Sequence, residues 1–153
     1  MFLGVRSGYV HRWRLWEMPG VGRSHEPLEP EQCWALLGTG MTGRVGFVRD
    51  GRVFIFPVNY LVHDQAVFFR TSASGDLGRS PLDRVAFQVD HVAPEQMSGW
   101  TVLVQGSTTA VQDEALSASV WGRMTNEPWA GGDRRHLVQV VSASISGRRV
   151  GTS

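Results

Sequence analysis

Hydrophobic and polar positions along the chain follow two periods. "PEQCWALL" sets Cys33, Trp34, Leu36 and Leu37 on one helical stripe, with Pro30 at the first position. Gly38 and Gly40 stop that helix. From Arg44 the alternation takes the period of strands. "RVGFVRDGRVFIFPVNYLV" predicts a hairpin turning at Asp50-Gly51, and "AVFFRTS" predicts a third antiparallel strand after the short turn "HDQ". "RVAFQVDHV" and "WTVLVQGSTTAVQ" predict two more. "DEALSASVWGRM" predicts a helix with Asp113 and Glu114 suited to its first turn, and "NEPWAGGDRR" reads as a loop. "HLVQVVSASISGRRV" predicts the last strand, whereas "MPGVGRSHEPLEP", Met18 to Pro30, reads as linker. Five or six strands with short turns and few helices predict a mainly β domain, either a small barrel or a sandwich.

Composition narrows the chemistry. A chain of 153 residues suggests one domain, here residues 28–153 behind a flexible leader, 1–27. A net charge of +1 offers no electrostatic case for nucleic acid. All 15 basic residues are Arg, so a Schiff-base lysine and a P-loop lysine are both excluded. Any anion must be held by Arg, His, hydroxyls or backbone N–H groups. Cys33 is the only cysteine, which fits a reducing, cytoplasmic setting. No apolar run approaches the ~18 residues of a membrane span, and Arg6, His11, Arg12 and Arg14 interrupt any signal-peptide core.

Several motifs fail on inspection. "GTGMTG", Gly38 to Gly43, matches a dinucleotide fingerprint, but a helix precedes it and a strand follows, the reverse of what the mechanism needs. The five histidines are scattered and no cysteine pair exists, so no metal site is expected. No nucleophile elbow is present.

Two neighbouring stretches carry more. In "FIFPVNYLV", Pro57 sits inside a strand pattern, where it cannot donate to a ladder. It marks an edge strand, or a bulge that leaves main-chain groups for a ligand. Asn59 and Tyr60 add polar atoms and an aromatic face, which suits a flat heterocycle. In "FFRTSASGDLGRS", Arg70, Thr71 and Ser72 run into a turn rich in Gly and Ser, which suits a phosphate. For Arg70 the competing reading is a surface ion pair. A ring slot beside an anion clamp describes a flavin mononucleotide.

At these residues the sequence resembles the pyridoxamine 5′-phosphate oxidase-like flavoproteins, and within them the branch of nitroimidazole-resistance-like and actinobacterial members. The resemblance runs from about Glu31 to Arg149. It is carried by "GRVGFVRDGRVFIFPVNYLVHDQAVFFRTSASGDL", "GWTVLVQG", Pro128-Trp129 and "HLVQVVSASISGRR". It implies a six-stranded antiparallel split β-barrel of Greek-key type with a few short helices, forming a homodimer with FMN in clefts at the interface. By the same resemblance Pro57, Val58, Asn59 and Tyr60 would line the flavin ring. Arg70, Thr71 and Ser72 would hold the ribityl and phosphate groups with the backbone of Ser74, Gly75, Asp76 and Leu77. Trp100 would close the cleft, although a core position would equally explain its indole.

The chain departs from the pattern twice. Where relatives carry Lys or Arg in the phosphate turn, this chain has Asp76, which forfeits a charge-assisted contact and adds repulsion. Either Asp76 turns outward and pairs with Arg79, leaving the phosphate to Arg70, Arg79 and amides, or FMN has given way to a deazaflavin F420, heme or no ligand. The intact "FPVNY" and "RTS" runs favour altered flavin binding. The chain also ends "SGRRVGTS", without the R-L-x-P segment that grips substrate in the vitamin B6 oxidases. The resulting expectation is a cytoplasmic, homodimeric, flavin-dependent oxidoreductase acting on a small organic substrate other than pyridoxamine phosphate. The sequence assigns no general acid or base; Tyr60 and His136 are candidates because they titrate or donate and the resemblance places their segments near the cleft. The alternative is a non-catalytic binding module, with His63 as the candidate axial ligand if heme is bound.

Overall fold

The structure, a computed structural model, describes residues 23–124 and 132–152. The leader over residues 1–22 and the Pro128-Trp129 pair lie outside the described residues. The strands are β1 (Arg23–Pro27), β2 (Thr42–Arg49), β3 (Arg52–His63), β4 (Ala66–Thr71), β5 (Val85–Ala93), β6 (Ser98–Ala110) and β7 (His136–Thr152). The helices are α1 (Pro30–Leu37) and α2 (Glu114–Arg123), with one 3₁₀ turn over Pro94–Gln96. All strand pairings are antiparallel, in the order β1-β7-β4-β3-β2-β5-β6, and β6 pairs back onto β7 to close the barrel.

The predicted elements form where the pattern put them, with one correction. Arg23–Pro27 is not linker but a seventh strand, paired with Arg148–Thr152. Local sequence gives it no alternation; its conformation comes from the far end of β7. Asp113 caps α2 through its carboxylate, which accepts from the Leu116 amide at 2.7 Å. Both hairpin tips use left-handed backbone, at Asp50-Gly51 and at Asp64-Gln65, as tight two-residue turns demand.

Two cores form on opposite faces of the sheet. Inside the barrel lie Val45, Phe47, Val58, Tyr60, Val67, Phe69, Phe87, Val102, Val104 and Val140. α1 packs against this core with Cys33 and Leu37 fully buried. Outside, Ala66, Phe68 and Leu137 pack with Val120 and Trp121 of α2.

Closure depends on Gly106. There β6 carries a register shift, with Gln105 opposite Ser144 and Gly106 opposite Ser142. A β-carbon on Gly106 would run into the Val141 carbonyl, a backbone atom that cannot yield alone. Gly106→Ala is therefore expected to destabilise the fold by roughly 2–3 kcal/mol in urea unfolding. A stability equal to the parent's would show that the bulge has slack.

Candidate functional site

Pro57 is accommodated by a local edge. β3 pairs with β2 in unbroken register from Arg52 to Asn59, so the bulge that would have freed main-chain groups is absent. β4, however, pairs only with Tyr60–His63. Among the described residues no strand lies beside the second edge of β3 over Arg52–Asn59, and a proline there breaks no ladder. Pro57 is exposed and Asn59 half-buried on the outer face, and Thr42 donates to the Asn59 side-chain oxygen at 3.1 Å.

Val58 and Tyr60 point the other way, into the barrel. The Tyr60 ring packs edge-on against Phe87, and its hydroxyl donates to the Leu37 carbonyl at 2.6 Å. Burial pushes the phenol up to about 12, so this hydroxyl is a structural donor holding α1 to the barrel. Gly40 leaves it room, since a β-carbon there would collide with the hydroxyl.

The strand after the β3–β4 turn splits its residues likewise. Arg70 lies on the outer side, its guanidinium over the Trp121 ring at 4.6 Å. Thr71 is buried, opposite His136 in the β4–β7 register. Ser72 and Ser74 place their hydroxyls 3.1 Å apart at the head of the loop. The loop then winds into one helical turn, with the Arg79 amide donating to the Gly75 carbonyl at 2.9 Å. The amides of Asp76 and Leu77 at the start of that turn make no hydrogen bond among the described residues. Leu77 anchors the turn in the barrel core.

This turn also settles where Asp76 points. Its carboxylate pairs with Arg79 Nε at 3.6 Å, the i,i+3 pair expected if the segment turned helically. Arg79 Nη2 also reaches Asp50 at 2.5 Å, and Arg49 donates to the Ser80 hydroxyl at 2.6 Å and carbonyl at 2.9 Å. The loop is thereby bolted to the tip of the β2–β3 hairpin. Sequence reasoning did not find Arg49, Asp50 or Ser80 as part of this region, because nothing local joins them. Trp121 was legible only as an apolar position of α2.

Trp100 stands apart from these residues within the protomer. It sits on β6, packs on the barrel core and stacks on His91 at 6.3 Å between centroids. It lines a cavity of about 340 Å³ with Val92, Met97 and Arg148. His63 is engaged at both ring nitrogens, with Arg123 at 2.8 Å and Asp64 at 3.3 Å, so axial ligation would first have to break a contact. Among the described residues no cluster of His, Cys, Asp and Glu is arranged to hold a metal ion, and no helix is long and apolar enough to cross a membrane.

Comparison with known proteins places this architecture. The family model for pyridoxamine 5′-phosphate oxidase matches residues 29–149. The chain belongs to the pyridoxamine 5′-phosphate oxidase family. An uncharacterized protein of Mycobacterium tuberculosis is 30% identical over 138 residues, covering 86% of this chain and 90% of its own. The FAD-binding protein of Mycobacterium smegmatis is 30% identical, with a TM-score of 0.64 over 82% of this chain and 98% of its own. An FAD-binding protein of Mesorhizobium loti shares the fold at 17% identity, with a TM-score of 0.70 over 85% of this chain and 99% of its own. The split-barrel expectation thus holds, with β1 added.

Removing the Tyr60 hydroxyl tests its role. Tyr60→Phe removes one of the two donors to the Leu37 carbonyl, which keeps the Gly40 amide at 3.2 Å, and is expected to cost about 1 kcal/mol near neutral pH. The phenol's raised value means that its contribution is full below the unfolded value of ~10 and is lost as pH rises toward 12. The parent should lose about 1–2 kcal/mol over that interval, allowing for solvent screening, and the variant none of this component. Parallel alkaline curves in pH-dependent urea unfolding would refute the assignment.

Proposed function

We propose that this chain binds a flavin nucleotide and serves as a flavin-dependent oxidoreductase for a small organic molecule. The observation that carries the reading is the Ser72–Arg79 loop. It offers two amides that have no hydrogen-bond partner among the described residues, and two hydroxyls, and the M. smegmatis relative that matches 98% of its length to this chain is an FAD-binding protein. Neutral donors converging at a turn suit a phosphate. The open backbone of β3 around Pro57 and Val58 offers hydrogen-bonding edges for a flat ring. Asn59 and Arg70 extend that surface on its outer side. Flavin, when bound, supplies hydride or electron transfer, while the protein supplies binding and orientation.

The same reading includes a homodimer with the flavin between protomers. Val48, Val53 and Ile55 are exposed apolar residues on the outer face of β2 and β3, at 60%, 76% and 66% of full exposure. They border a groove of about 830 Å³ beside Pro81–Val85. A second copy would cover this patch, as contiguous exposed apolar surface favours. It would also bring a Trp100 to the far side of the cleft, which one protomer alone does not do. Tyr60, with its hydroxyl committed and its phenol raised, is no proton donor at neutral pH; His136, beside Thr71, is the remaining candidate.

A visible absorption spectrum of the purified chain, followed by titration with flavins, tests the cofactor. Bound-flavin bands, or saturable quenching on addition, are expected; a colourless protein that ignores riboflavin, FMN and FAD alike would overturn the reading. Ile55→Asp is expected to shift sedimentation equilibrium from dimer to monomer and to weaken flavin binding in parallel. An unchanged dimer would place the interface elsewhere.

A further inference from the structure

We propose that the Ser72–Arg79 loop selects among flavin nucleotides by phosphate charge, with Asp76 as the specificity-determining residue. It takes the singly charged phosphate of a diester, as in a dinucleotide, in preference to the terminal phosphate of a mononucleotide. The inference rests on the flavin reading above and goes beyond it.

The argument starts from where the loop's charges are spent. Arg79, the only cation within the loop, lies between two carboxylates, with Nη2 on Asp50 and Nε on Asp76. Arg49 turns its two terminal nitrogens to Ser80, and its Nε is buried with no hydrogen-bond partner. The guanidinium groups of Arg49 and Arg79 and the carboxylates of Asp50 and Asp76 cancel, and Arg52, the remaining cation of the hairpin tip, lies over the Phe54 ring at 5.6 Å. Arg70 is drawn to the Trp121 ring on the outer side of β4. What faces a ligand phosphate is therefore a set of neutral donors: the Asp76 and Leu77 amides and the Ser72 and Ser74 hydroxyls.

Neutral donors hold a monoanion well. A terminal phosphomonoester carries close to two charges at neutral pH. Its second charge would find the loop's one cation, Arg79, already paired with Asp50 and Asp76, and would meet the Asp76 carboxylate as a like charge. In a diester each phosphorus carries one charge, and the second phosphate extends away from the loop. The same carboxylate therefore repels the loop-bound phosphate of FAD roughly half as strongly as that of FMN. A cation at position 76 would reverse this by supplying a charge-assisted contact and releasing Arg79 from one of its two partners.

The test is a set of equilibrium titrations of the full chain with riboflavin, FMN and FAD, read by flavin fluorescence. For the parent, FMN is expected to bind within about threefold of riboflavin, and FAD ~10-fold more tightly than FMN. Asp76→Lys should tighten FMN ~10-fold while leaving riboflavin unchanged, and so narrow the gap to FAD. Adenosine contributes equally in both proteins, so the change in ratio reads phosphate charge. Glu26→Lys makes the same charge change on exposed β1, away from the loop and the β2–β3 patch, and should leave the ratios as they are. FMN binding ~10-fold more tightly than both riboflavin and FAD in the parent, or ratios unmoved by Asp76→Lys, would overturn the proposal and leave flavin binding standing. Failure of all three flavins to bind would overturn both.

Discussion

The architecture depends on one long strand meeting two partners at once. β7 pairs along His136–Val140 with β4 on one edge, and along Val138–Val150 with β6 on the other. A barrel removes exposed sheet edges only if such a strand can bend enough to serve both sides. The bend is concentrated where Gly106 passes the Val141 carbonyl. With closure fixed there, the inner faces of β2 to β7 converge on one core. The outer faces are left to carry α2 and the apolar patch of β2 and β3. Tyr60 then fastens α1 to that core through the Leu37 carbonyl.

Much of this was legible in the sequence because it is local. The bounds of α1, the Asp50-Gly51 turn and the alternation of β5 and β6 depend on neighbours a few residues apart. The inward course of Val58 and Tyr60 was also open to reading, since they share the parity of Phe54 and Phe56 along β3. What could not be read is non-local. Arg23–Pro27 becomes a strand only because Arg148–Thr152 lies beside it. Pro57 is tolerated because β4 starts its pairing late, a fact about register rather than about proline.

The phosphate loop shows both cases within one side chain. The Asp76–Arg79 pair followed from spacing and a helical turn. The Asp50 contact to the same guanidinium spans 29 positions and belongs to the tertiary fold. That second contact changes the meaning of the first. With one carboxylate, Arg79 would remain a partly available cation; with two, it is neutralised.

The bolting of the loop to the β2–β3 tip has a thermodynamic consequence. Loops that wrap a ligand commonly lose conformational freedom at the moment of association, and that loss weakens binding. Here Leu77 is already in the core, and Arg49 and Arg79 already join the loop to the neighbouring hairpin. The ordering is completed when the chain folds. Complex formation at this corner should then resemble docking onto a rigid surface, with little heat or entropy from loop rearrangement. Changes at the hairpin tip would act on affinity by loosening the empty protein rather than by touching what it holds.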